Sequence, residues 1–310
     1  MTFGLQTDEP TSRSILDRAA DGGLTFIDTA DVYPLGGGME LVGRTEEIVG
    51  RWLEGRRHEF VLATKVYGRT GLREWDVGNN RRHIMDAIDA SLHRLGTDYV
   101  DLYQLHQDDF ETPLDETLAA LNDLVRAGKV RYIGCSNFLS YRLARALGRS
   151  DALGLARFVS VQPRYSLLFR EFERELFPLC IEEGVGVIPY NPLAGGMLSG
   201  KHHRDQPPAE GTRFLIPGAG LMYQERYWHQ REFDAIDAFR RIANEAGLKP
   251  ATLAIAWVMR QPAVTAPIIG ASHPEQLEDT LAAADVQLGD DLLTALDSLS
   301  REFRRGDAAR

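Results

Sequence analysis

Seven times along this chain a short apolar run ends on polar or aromatic side chains. That recurrence restricts the fold more than any other property of the sequence. Leu24 to Ile27 ends on Asp28, and Tyr33 follows in the segment Thr25-Phe26-Ile27-Asp28-Thr29-Ala30-Asp31-Val32-Tyr33. Phe60 to Thr64 ends on Lys65, Val100 to Leu105 on His106, and Tyr132 to Cys135 on Ser136-Asn137. Phe158 to Val161 ends on Gln162, Gly186 to Pro189 on Tyr190, and Ala266 to Ile269 on Gly270-Ala271-Ser272. Strands alternating with helical spacings imply right-handed crossovers and a parallel sheet. Strand carboxyl ends that all deliver functional groups are how an α/β barrel of the (β/α)8 kind builds an active site.

Helical periodicity fills the intervals. It predicts helices over Ser12 to Ala20 (stopped by Gly22-Gly23), Thr45 to Leu53 with Thr45 as N-cap, Arg82 to Leu95, Leu114 to Ala127 and Tyr141 to Leu147. Further helices are expected over Arg170 to Glu183, kinked at Pro178, then Phe233 to Ala246, Thr252 to Arg260, Glu275 to Ala284 and about Asp290 to Leu299. The 310 residues fit one barrel domain, of about 250 residues plus insertions, better than two small domains. The tail 301–310 is charged and expected to fray. Only Met1 to Gly4 is available for an eighth, first strand, which is short against the usual five or so residues.

Composition excludes several functions. With 35 basic against 45 acidic residues the net charge is −10, a poor nonspecific nucleic-acid binder. No apolar run reaches about 18 residues and no signal-peptide pattern occurs, so the chain reads as soluble, cytoplasmic and without a membrane role. Cys135 and Cys180 read as buried hydrophobes, and no metal-ligand spacing is present.

The strand-end residues make a chemical device. A phenol with a reference pKa of about 10 is a weak acid at neutral pH. A cation beside it favours the phenolate. Lys65 supplies that cation, Asp28 holds it, and His106 offers a hydrogen bond to a carbonyl oxygen, so Tyr33 would act as general acid. No nucleophile motif accompanies them, which points to an external hydride donor, a nicotinamide. No G-x-G-x-x-G follows a strand, and no Walker A loop occurs.

These segments resemble the aldo-keto reductase family, in the branch that includes potassium-channel β subunits and bacterial reductases. Phe26 to Tyr33, Leu62 to Lys65, Asp101 to His106, Gly134 to Phe138 and Val161-Gln162-Pro163 carry the likeness. It implies a (β/α)8 barrel binding NADP(H), with Asp28, Tyr33, Lys65 and His106 as the catalytic tetrad. It also implies that Ser136, Asn137 and Gln162 hold the nicotinamide carboxamide and that Tyr190 stacks on its ring. Asn191, Leu193, Gly195 and Lys201 fall in the likeness to the pyrophosphate loop, and Arg213 to an arginine near the cofactor. Gly270, Ser272, Gln276 and Asp279 fall in the adenosine-phosphate segment, with neutral Ser272 and Gln276 where other branches place Lys and Arg. Relatives carry a hairpin and a full first strand ahead of Met1-Thr2-Phe3-Gly4. Met1 is therefore expected to be an internal methionine, with upstream codons raising solubility and melting temperature.

The expected activity is NADPH-dependent reduction of an aldehyde or ketone, with a small-molecule carbonyl substrate. The rival readings are a cofactor-binding accessory barrel with weak catalysis and a barrel hydrolase or lyase. Trp75, Trp228 and Tyr227 are candidates to line the substrate pocket, and Val66–Asn80, Gln107–Thr112 and Leu193–Gln230 are the specificity loops. His202-His203 and Arg56-Arg57 read as solvated. The sequence leaves the substrate and the oligomeric state open, a homo-oligomer included.

Overall fold

The computed structural model describes residues 1–304, and its contacts divide the chain into two compact units. The first comprises Met1–Gln162 with Ser272–Pro274. It alternates α1 (Glu9–Asp21), β1 (Phe26–Asp28), α2 (Arg44–Leu53), β2 (Val61–Val66), α3 (Arg81–Leu95), β3 (Val100–Leu105), α4 (Leu114–Arg126), β4 (Val130–Ser136), α5 (Ser140–Leu153) and β5 (Phe158–Gln162). The five strands pair in chain order, all parallel. Lys65 lies opposite Gln104, and Gln104 opposite Gly134. Leu62, Ala63, Leu105, Ile133 and Val161 are wholly buried, as are Ile48, Ile84, Leu118 and Leu143 on the covering helices. Burial on both faces explains why the strands read as apolar runs rather than alternating ones.

Helix ends depart from the periodic reading where caps decide them. α1 begins at Glu9 because Asp8 accepts from the Thr11 amide at 2.9 Å and Pro10 sits in the first turn. Thr45 is not the N-cap of α2. Gly43 is, at φ 84°, and Thr45 Oγ1 instead donates to the Phe3 carbonyl at 2.9 Å. That bond anchors the Met1 to Leu5 stretch, which forms a turn, not a strand, with Gly4 N donating to Thr7 O at 2.8 Å. α5 continues past Leu147 to Leu153, where left-handed Gly154 ends it.

The second unit comprises Pro163–Ala271 with the chain from Glu275 on. It holds α6 (Leu176–Glu183), β6 (Gly186–Val187), α7 (Gly220–Tyr227), α8 (Gln230–Glu245), α9 (Pro250–Met259), α10 (Gln276–Leu281) and α11 (Asp290–Ser300). The expected helix from Arg170 starts instead as a 3-10 turn, Glu171–Glu173. Pro178 falls in the first turn of α6, where no intrahelical donor is lost, so it makes no kink. The expected strand Ala266 to Ile269 is reduced to isolated bridges, with Thr265 N donating to Val187 O and Ile268 N to Pro189 O, both at 2.8 Å. Pro189 and Pro267 have no N–H to extend that ladder. Regular strands among the described residues are thus the six named, not seven. Tyr165 stacks on Trp257 at 5.4 Å within this unit's core. Of the expected frayed tail, Arg301–Arg304 forms a 3-10 turn with Phe303 buried; residues 305–310 lie outside the described residues.

Candidate active site

The carboxyl ends of β1, β2 and β3 bring the four residues expected to act on a carbonyl into one place. Lys65 is fully buried, so its ammonium must be paired. It donates to Asp28 Oδ2 and, at 2.8 Å, to the Thr29 carbonyl. The other oxygen of Asp28 accepts from Gln104 Nε2 and Gln162 Nε2, each at 2.9 Å. Lys65 Nζ stands 5.3 Å from the centre of the Tyr33 ring. Tyr33 Oη lies 3.4 Å from His106 Nε2, and the two rings meet edge to face. Burial first, and the Lys65 charge second, push the His106 pKa down to about 3. The imidazole is therefore neutral across the physiological range and keeps one N–H to donate.

Asn137, in the left-handed region at φ 58°, closes this side of the site. Its Nδ2 donates to the His106 carbonyl at 2.9 Å and to Ser136 Oγ at 3.1 Å, while Ser136 Oγ donates to the Gln162 carbonyl at 2.7 Å. The expected carboxamide trio is thus one bonded cluster beside His106. Ser272 belongs to the same unit.

The remaining expected cofactor residues lie in the second unit. Burial raises the Tyr190 pKa. Asn191 Nδ2 donates to Tyr227 Oη at 2.9 Å, and its Oδ1 accepts from Gly195 N at 2.6 Å. This folds the turn Ala194–Ser199, entered from Leu193, in which Gly195 and Gly196 take φ of 72° and 105°. A Cβ on Gly196 would sit 3.5 Å from Lys201 Cε, so the bare backbone runs against that side chain. Lys201 loses proton affinity through desolvation and then through Arg213. Two cations held together beside a glycine turn fit an anionic ligand such as a pyrophosphate. Arg213 also approaches Gly270, whose added Cβ would stand 3.8 Å from a guanidinium nitrogen. Gln276 opens α10, and the Asp279 carbonyl accepts from Thr252 Oγ1 at 2.6 Å.

Some residues behave otherwise than the sequence implied. His202 is buried, not solvated, edge-on to Phe214 and Trp228; His203 is exposed. Arg57 is no surface charge: it bonds the Phe60 and Tyr99 carbonyls and Asp101. Tyr227 is buried under Asn191, while Trp75 is part-exposed beneath the Arg82 guanidinium. Gln104, Asp31 and the Asp108–Arg142 pair escaped notice. A glutamine inside an otherwise apolar run was the available signal for the first. Asp31 is wholly buried, and neither carboxyl oxygen has a hydrogen-bond partner among the described residues. Burial, and then the Glu46 carboxylate, raise its pKa well above the usual range. Among the described residues no group of three His, Cys, Asp or Glu could hold a metal ion.

Parallel strands ending on this Asp-Tyr-Lys-His constellation define a class, and sequence comparison agrees with it. A sequence model of the aldo/keto reductase family matches residues 1–301, and the chain belongs to that family. Membership implies a (β/α)8 barrel. The chain is 39% identical to the uncharacterized oxidoreductase YrpG of Bacillus subtilis, over 96% of this chain and 90% of that protein. It is 33% identical to the versiconal hemiacetal acetate reductase of Aspergillus parasiticus, over 92% and 85%. It is 34% identical to a probable voltage-gated potassium channel subunit beta of Arabidopsis thaliana, over 92% and 85%.

Proposed function

We propose that this oxidoreductase-family protein reduces an aldehyde or ketone to the alcohol with NADPH. The observation that carries the reading is Tyr33 Oη at 3.4 Å from a neutral His106, with the buried Lys65–Asp28 pair behind the phenol ring. Reduced nicotinamide, when bound, supplies a hydride to the carbonyl carbon. Tyr33 gives its proton to the carbonyl oxygen, so hydride plus proton account for the alcohol. The Lys65 ammonium favours the phenolate left behind. Asp28 holds Lys65 in place, and His106 Nε2–H orients the carbonyl oxygen. Because His106 is uncharged, it positions that oxygen without competing for the proton.

Ser136, Asn137 and Gln162 would hold the carboxamide and Tyr190 would face the ring. Asn191, Leu193, Gly195, Lys201 and Arg213 would hold the pyrophosphate. Gly270, Ser272, Gln276 and Asp279 would meet the adenosine phosphate. Neutral Ser272 and Gln276 imply only a modest preference for NADPH over NADH. The protein would act in the cytoplasm on small carbonyl compounds.

The test is NADPH oxidation with a reactive aromatic aldehyde, run on the wild type and a folded Tyr33→Phe variant. A fall in kcat of about a hundredfold or more is expected, in line with loss of a general acid. Equal rates would remove Tyr33 from the role. Likeness to a channel subunit beta favours a second reading, a nicotinamide-binding accessory protein. Tight NADPH binding without turnover would select it.

A further inference from the structure

Gln104 has no part in the tetrad, yet it is fully buried among charged groups on the inward side of β3. Its Nε2 donates to Asp28 Oδ1 at 2.9 Å. Its Oε1 accepts from Gln162 Nε2 at 3.2 Å, and Gln162 Nε2 gives its second hydrogen to the same Asp28 oxygen at 2.9 Å. The three side chains come from β1, β3 and β5. Alternate strands supplying one interior layer is the packing rule of a parallel barrel, here met by polar groups in a closed ring of hydrogen bonds. β4 leaves room for the crossing. A Cβ on Gly134 would stand 2.6 Å from Ser160 Oγ and 3.3 Å from Gln104 Cγ, so a side chain there would clash with Ser160 and press on the glutamine.

The ring has two consequences. Both hydrogens of Gln162 Nε2 are committed, so Gln162 can present only its Oε1 to a ligand. Asp28 Oδ1 is saturated by two amide donors, so Oδ2 alone faces Lys65. We infer that Gln104 is a positioning residue that fixes the amide orientation of Gln162 and the carboxylate orientation of Asp28 together, tying the nicotinamide-binding side of the site to the proton-donating side. The inference rests on the reductase reading for its catalytic meaning, but not for the ring itself.

The experiment compares wild type with folded Gln104→Leu and Gln104→Glu, using NADPH and an aromatic aldehyde between pH 5 and 9. Charged groups facing position 104 are Asp28 from β1 and Lys65 from β2; β4 contributes Gly134, and β5 contributes Ser160 and Gln162. A protonated glutamic acid reproduces the amide pattern, donating to Asp28 and accepting from Gln162, whereas its carboxylate cannot. For Gln104→Leu the expected result is a kcat at least tenfold lower and an NADPH Kd at least threefold higher, with the aldehyde KM within threefold. Gln104→Glu should match the leucine variant at pH 9 and recover toward wild type at pH 5, a titration that a space-filling role would not create. Kinetics and NADPH affinity within twofold of wild type for both variants at every pH would overturn the proposal.

A wild type that neither binds NADPH nor turns over would instead refute the reductase reading. Thermal unfolding of the unliganded proteins then decides about the ring. In Gln104→Glu the introduced carboxyl is buried beside Asp28 and has a raised pKa, so that variant should lose melting temperature relative to wild type as pH rises from 5 to 9. A constant difference across that range would overturn the ring.

Discussion

His106 and Asp31 show how burial sets protonation at single residues, with opposite consequences for pH. The His106 pKa is down to about 3, so the unfolded chain binds a proton there near pH 6.5 and the folded chain does not. Stability contributed by the neutral ring is full above pH 6.5 and falls as pH drops, by about 1.4 kcal/mol per unit. His106→Asn should lessen that slope in urea unfolding between pH 4 and 7. An unchanged slope would assign it to other groups. Asp31 carries the reverse sign. Its raised pKa means the folded state resists ionisation, so stability falls as pH rises above about 3.9, the unfolded value. Asp31→Asn should therefore melt at least about 2 °C higher at pH 8, and no higher at pH 4. The grouping of the site's side chains was legible because Asp28, Lys65 and His106 each end an apolar run and Tyr33 follows Asp28 in the same segment. Asp31 and Gln104 were not, because a polar letter in the turn after β1 or within the β3 run does not reveal that the side chain is buried.

At the scale of elements, one ion pair ties α5 to the loop after β3. Arg142 holds Asp108 through two 2.7 Å bonds and reaches the Asp109 carbonyl at 3.2 Å; both side chains of the pair are nearly inaccessible. Asn79 Nδ2 donates to the Gln107 carbonyl and Asn137 Nδ2 to the His106 carbonyl, each at 2.9 Å. Three neighbours thus fix the backbone that follows His106. Arg142→Ala would leave a buried carboxylate alone, costing about 3–5 kcal/mol. Denaturant unfolding should register that loss, with a several-fold drop in kcat as His106 loses its register; a loss below about 1 kcal/mol would mean that water replaces the pair. Most helices and the first unit's strands were legible from spacing. Their ends were not, since Asp8, Gly43 and Gly154 set them through side-chain caps and left-handed turns. The strand after α9 failed because Pro267 has no N–H and the facing run carries Pro189, so only isolated bridges form.

For the molecule as a whole, a cofactor that binds only the folded chain should register in global stability. NADPH at about a hundred times its Kd should add about 2.7 kcal/mol and raise the melting temperature by several degrees. NADH at equal concentration should do nearly as much, given neutral Ser272 and Gln276. No shift with either nucleotide would count against the whole cofactor assignment. Among the described residues no helix is long and apolar enough to cross a membrane.

Both cysteines of the chain are buried, and burial pushes the Cys180 thiol up to about 12. Sulfur chemistry begins from an accessible thiolate, and neither position offers one. On the proposed reductase reading, neither thiol would compete with Tyr33's site for an electrophilic carbonyl. Iodoacetamide should leave the native protein unlabelled and label both sites only after denaturation.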